Sequence, residues 1–212
     1  MQVPISNWSA WAPGLNSHQD WSLFLNGSLP LIENETPDVS FLPAMFRRKL
    51  SPLTRMVFCT FNKLKDKEKF KNIPLIFASR HGELDLSISL INSGLDSMTC
   101  SPAKFSISVH NSPVGLLSIQ DKNTGPSTAI SSGKRTLEMG LIEAISTMDT
   151  FNNALLIYAD LPLSEEYEEY VDEKAFPVCI VMHLKKQLTS TDISFSGQKG
   201  FQARMLMKQL VE

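Results

Sequence analysis

The sequence predicts a three-layer α/β domain. Three observations carry this. Short apolar runs at 73–78, 154–158 and 177–183 read as strands, and the first is nearly all apolar, as a strand covered on both faces should be. The stretches between them have helical spacing: Leu84, Ile88, Ile91 and Leu95 in one, Leu137, Gly140, Leu141, Ala144 and Ile145 in another. A chain of 212 residues, 42% hydrophobic and 20% charged, suits one domain with a sizeable core. We read 1–212 as a single domain: an N-terminal strand, loop and basic helices over 1–72, an α/β core over 73–185, and a tail over 186–212.

Taken in order, 3–8 is a first strand. Trp8, Trp11 and Trp21 then cluster, which fits aromatic packing under a loop better than a ligand site. Residues 26–38, rich in Pro, Asn, Gly and Glu, form a surface loop. Residues 44–64 are helical, as one helix or as two joined at Ser51-Pro52, where Ser51 is a good N-cap and Pro52 a good first residue. The charged segment 63–71 is a turn, 83–95 an amphipathic helix and 93–101 a loop. Residues 105–119, with Phe105, Ile107, Val109, Val114, Leu116, Leu117 and Ile119, read as a helix. Asp, Asn, Thr and Gly make 121–125 a loop, since they compete locally for backbone hydrogen bonds. A short β-prone run follows at 127–131, broken at Gly133, and then the helix 136–148. The acidic segment 162–173 is a solvated excursion, 189–200 is loop-like, and 203–211 closes the chain as a helix with Met205, Leu206 and Leu210 on one side.

Composition excludes several functions. A net charge of −2 argues against nucleic-acid binding. No apolar run approaches the ~18 residues that span a membrane, and residues 1–9 lack the pattern of a secretory signal. Three dispersed cysteines, Cys59, Cys100 and Cys179, suit a reducing cytoplasm, and His18, His81, His110 and His183 show no metal-ligand spacing, so neither metal nor cofactor is expected. The segment 130–136 is a poor phosphate loop: its first glycine is missing and Arg135 replaces the hydroxyl residue after Lys134.

The stretch 101–141 organises the chain, and it resembles the β-ketoacyl synthases. The matching residues are Ser101-Pro102, Asn111 with Gly115 four residues on, Ser118-Ile119, the run Gly125-Pro126-Ser127-Thr128-Ala129, and a following helix that carries Gly140. The likeness continues in the segment 76–84 and in the strand 154–159, covering about 74–162 in all. The wording Ser79-Arg80-His81-Gly82-Glu83-Leu84, Val109-His110-Asn111 and Tyr158-Ala159-Asp160 is similar to one subgroup, the chain length factor proteins of bacterial aryl-polyene pathways.

The resemblance implies a thiolase-like fold, three-layer with a mixed central sheet, of which this chain supplies the first of two pseudo-repeated halves. It places Lys134 where synthases carry their nucleophilic cysteine, and it finds neither histidine motif of the second half, so the chain is expected not to be an enzyme by itself. It implies a heterodimer with a full-length ketosynthase, joined through the strand before the turn, here Pro126, Ser127, Thr128, Ala129 and Ile130. Such an edge, with the segment 105–119, is expected to be exposed and apolar until paired. Val109, His110 and Asn111 are then expected either to shape the acyl tunnel or to pack internally, with Asn111 capping backbone groups. The basic cluster Arg47, Arg48, Lys49 and Arg55 reads as a solvated face or as a landing site for an acyl carrier protein. The alternative function is a stand-alone acyltransferase or hydrolase using Ser79 and His81, although no nucleophile-elbow motif supports it.

Overall fold

The computed structural model of the chain describes residues 3–65, 70–97, 101–164, 167, 175–186 and 203–211. Five strands form one sheet: β1 (Ile5–Trp11), β2 (Leu75–Ala78), β3 (Ser127–Ile130), β4 (Asn153–Asp160) and β5 (Val178–Lys185), in the order β1-β5-β4-β2-β3. β2 runs parallel to β3 and β4, whereas β5 is antiparallel to both β4 and β1. The sheet is therefore mixed, as expected.

The period-two alternation of the strands divides the core. Ile76, Ala78, Leu156, Ile180 and Met182 face one side, with Leu137, Leu141 and Ala144 of α7 (Thr136–Phe151), Trp21 of α1 (His18–Leu25), and Leu206 and Met207 of α8 (Ala203–Val211). Leu75, Phe77, Leu155, Ile157 and Val181 face the other, with Leu53, Met56 and Val57 of α3 (Pro52–Asn62), and Val114 and Leu117 of α6 (Ser112–Asp121). Each such Val, Leu, Ile, Phe or Met side chain contributes about 1.5–3 kcal/mol. Gly140 lets α7 lie directly on the sheet, since a Cβ there would stand 2.7 Å from Ala78 Cβ.

Local signals explain the element boundaries. Ser51 accepts from Thr54 N at 3.0 Å and Pro52 opens α3, so the helical stretch splits there, with the single turn α2 (Ala44–Arg47) before it. α4 (Leu84–Ser97) runs further than the expected loop at 93–101 allows, and residues 98–100 lie outside the described set. The expected helix over 105–119 is two helices, α5 (Pro102–Ser106) and α6, separated at 107–111. Pro113 in the first turn of α6 explains the break: it has no N–H to continue a helix arriving from Phe105. In α8, Met207 is buried and Met205 is 39% exposed, reversing the expected place of Met205. Trp11 and Trp21 are core residues, while Trp8 stacks on His18 at 3.9 Å. Most of the acidic segment 162–173 and all of 189–200 lie outside the described residues.

Candidate functional site

Strand β3 is the outer strand of the sheet, bonded on one side to β2. Pairing in register carries both strands to the same end, where the loops 79–83 and 131–135 lie side by side; Ser131 Oγ donates to Arg80 O at 2.9 Å. Between β3 and the start of α6 lies a groove of about 500 Å³. His110, Asn111 and Val114 form one wall, and Ser127, Thr128, Ala129 and Ser131 the other. Five of the residues expected at an interface or tunnel thus meet here: His110, Asn111, Ser127, Thr128 and Ala129. Val109, Pro126 and Ile130 do not line the groove. Val109 is instead 46% exposed.

The expected apolar edge is more polar than the pattern suggested: Ser127 and Thr128 are the exposed residues of β3, and Ala129 and Ile130 are half-buried. Apolar exposure lies nearby, at Phe105, Val109 and Ile119. Asn111 holds the N-cap position of α6, yet its side chain makes no capping bond and is exposed. Internal packing therefore does not account for Val109 or Asn111.

His110 is the fixed residue of the groove. Its Nε2 lies 2.9 Å from Ser79 O; a carbonyl only accepts, so Nε2 carries the proton. The Phe77 ring meets it edge-on at 5.7 Å. Its other contact is Gly82, at φ +57°, where a Cβ would come within 2.6 Å of His110 Cδ2.

The loop beneath His110 hangs on Asp160, at the end of β4. Asp160 Oδ1 accepts from Ser79 Oγ (2.9 Å), Arg80 N (2.7 Å) and His81 N (3.4 Å), and Tyr158 bonds the same carboxyl. Burial raises the Asp160 pKa, against the pull of those donors, and pushes the Tyr158 phenol well up. The other end of the loop is Glu83, which accepts from Ser51 Oγ at 2.5 Å and Thr54 Oγ1 at 3.0 Å; burial raises its pKa too. Asp160 is visible in the sequence as an acid ending an apolar strand, but its partners in the loop 79–83 are some eighty residues away, so no local pattern assigns it a role.

This arrangement does not bring Ser79 and His81 together as a nucleophile and its base. Ser79 is fully buried, its hydroxyl donates to Asp160, and it accepts from Gly82 N at 2.8 Å. The histidine in contact with residue 79 is His110, through the backbone carbonyl, and not His81. A nucleophile needs an accessible oxygen, and Ser79 Oγ is buried and held by Asp160 and Gly82.

Lys134 sits in the single 3-10 turn Gly133–Arg135 that leads into α7, and it is exposed. Thr136 Oγ1 accepts from Ser132 N and donates to Gly133 O, closing the turn at 2.9 and 2.8 Å. Arg135 forks onto Glu138 at 2.8 and 2.9 Å, which lowers the Glu138 pKa. The basic cluster is only partly outward. Arg55 is half-buried and spends its guanidinium on Leu50 O (3.3 Å) and Arg47 O (2.6 Å), and Arg47 is half-buried as well. Arg48 and Lys49 are the exposed members.

The fold and this turn define a condensing-enzyme-type domain, and comparison with known proteins agrees. The chain belongs to the beta-ketoacyl synthase N-terminal domain family, which matches residues 19–210. Its architecture is the thiolase-like ketosynthase fold. It is similar, at 25% identity and a TM-score of 0.76, to a chain in the structure of a ketosynthase (ApeO) in complex with its chain length factor (ApeC) from Xenorhabdus doucetiae, with 89% of this chain and 81% of that one covered. It shares the fold of the ishigamide ketosynthase/chain length factor at 12% identity and a TM-score of 0.66, covering 91% of this chain and 64% of that one. A β-ketoacyl synthase from Burkholderia phymatum also shares it, at 11% identity and a TM-score of 0.66, with 88% and 59% covered. No curated protein matches the sequence. Among the described residues, no helix is long and apolar enough to cross a membrane.

Proposed function

We propose that this chain is a chain-length-factor-like subunit that does not perform condensation itself but pairs with a full-length ketosynthase and shapes its acyl tunnel during polyene synthesis. The observation that carries this reading is Lys134. It stands on the turn into α7, where the resemblance puts the synthase cysteine. A thiolate holds the growing chain as a labile thioester that a carbanion can attack. An amine that captured the chain would hold it as an amide, too stable to pass on.

The sheet edge supports the pairing. β3 has a row of backbone groups on its outer side, with no strand among the described residues bonded to it. A partner strand added there would close the open side of the groove and turn it into part of a tunnel. The similarity to a ketosynthase–chain length factor complex points the same way. On this reading Arg48 and Lys49 meet an acidic carrier protein, and the complex works in the cytoplasm, which the buried free thiols Cys59 and Cys179 suit.

The test is co-expression with the ketosynthase and carrier protein of the same gene cluster, followed by acyl loading and intact-mass measurement of each subunit. A stable 1:1 complex, acylated on the ketosynthase alone, is the expected result. Acylation of this chain, or a monomer with no affinity for that ketosynthase, overturns the reading.

A further inference from the structure

The groove owes one wall to a residue that lies outside it. His110 is held from behind by the loop 79–83: Ser79 supplies the carbonyl that its ring bonds, and Gly82 supplies the surface on which the ring rests. That loop is in turn shaped by Asp160, whose single oxygen Oδ1 gathers Ser79 Oγ, Arg80 N and His81 N. Asp160 is not among the residues that line the groove. Its bonds run from β4 to the loop after β2, so they fix the path of the chain between Ala78 and Gly82.

Resting on the tunnel reading above, we infer that Asp160 is a positioning residue for chain length: it sets the loop 79–83, the loop sets the His110 ring, and the ring sets the width of the groove. The ring is the bulkiest group of the lining; the others are Asn111, Val114, Ser127, Thr128, Ala129 and Ser131. A displaced imidazole therefore changes the available width more than any neighbouring rotamer could. Gly82 makes the dependence close. The glycine leaves no slack behind the ring, since even a methyl group there would stand within 2.6 Å of it. A shift of the loop is thus passed on to the ring.

The experiment uses the full complex with its ketosynthase and loaded carrier protein, and reads the ratio of long to short products by mass spectrometry. His110→Ala tests the groove itself and is expected to favour longer products, with the ratio changing on the order of tenfold, the size of discrimination a few atoms give in an apolar pocket. Asp160→Ala should move the ratio in the same direction. Asp160→Asn, which keeps an acceptor oxygen at the same place, should restore it. Gly82→Ala leaves Asp160 in place but strains the same loop at φ +57° and sets a methyl group against the ring, so it tests the link from loop to ring, and Asp160→Asn tests Asp160 itself if Asp160→Ala fails to assemble. A damaged scaffold would lower total yield and leave the ratio alone, so the ratio separates positioning from general stability. If His110→Ala shifts the products while Asp160→Ala and Gly82→Ala give intact complexes with the wild-type ratio, the positioning role is wrong and the tunnel reading stands. If His110→Ala also leaves the ratio unchanged, the tunnel reading fails and the inference falls with it.

Discussion

Two loops leave the same end of the sheet and are built in opposite ways. The loop after β2, 79–83, is buried or half-buried, and its ends are tied through two carboxylates, the half-buried Asp160 and the buried Glu83. The loop after β3, 131–135, is exposed throughout and is closed by short-range bonds around Thr136. The first is scaffold, in which the polar groups of Ser79 and Glu83 have been taken out of water and must keep their partners. The second presents side chains outward, and a change there leaves little behind it unsatisfied. In a condensing enzyme the second loop would carry the nucleophile. Here the elaborate bonding lies in the first, behind the groove wall.

The largest effect should come from breaking the first loop. Asp160→Ala takes the shared acceptor away from the fully buried Ser79 Oγ and from the half-buried Arg80 and His81 amides. Leaving buried donors without an acceptor costs about 1–3 kcal/mol each, less whatever the loop recovers by relaxing. We expect a loss of about 3 kcal/mol in urea unfolding of the purified complex. Ser131→Ala, its counterpart in the second loop, removes one bond to Arg80 O near solvent and should cost under about 1 kcal/mol. Equal losses would mean that the two loops are not built differently.

This contrast also marks where the sequence could be read. Strands β2 and β4 were legible because covering both faces demands unbroken apolar runs, and α3 because Ser51-Pro52 is a local start signal. The groove was legible in part. His110, Asn111 and Ser127 to Ala129 belong to motifs, but that they face one another follows from β2–β3 pairing, which no local pattern encodes. The roles of Asp160 and Glu83 were hidden for the same reason, since Glu83 meets Ser51 across 32 positions. The break in 105–119 was misread because the hydrophobic count outweighed Pro113.

A smaller effect sharpens the comparison through pH. Burial raises the Glu83 pKa above its ordinary value, so the fold prefers the protonated acid. The contribution is fully present below the ordinary carboxylate range and is lost as pH rises through the raised value. Glu83→Gln keeps an acceptor for Ser51 and Thr54 but cannot ionise. Its stability relative to wild type should therefore improve as pH rises from acidic to neutral, by on the order of 1 kcal/mol. Urea midpoints of both proteins across that range check this, and a difference that stays flat or runs the other way removes burial as the dominant influence on Glu83. Asp160 shifts in the same direction, so the wild-type slope should be shallower in Glu83→Gln without vanishing.

The smallest effect belongs to Lys134. It is exposed, on a turn whose closure depends on Thr136, Gly133 and Ser132 rather than on its own side chain. Truncating it leaves those bonds intact, and changes at exposed positions of this kind rarely move stability measurably. Lys134→Ala should therefore leave the unfolding midpoint of the complex where it was. Turnover is the sharper measurement. If the partner ketosynthase performs the condensation, the reconstituted complex carrying Lys134→Ala should condense at a rate within a few-fold of wild type, with the same product lengths, because Lys134 does not line the groove. A loss of several hundredfold with the heterodimer intact would correspond to about 3 kcal/mol of transition-state stabilisation. A loss that large would place an amine in the chemistry, and the exposed loop, rather than the buried one, would then be the functional half of the pair.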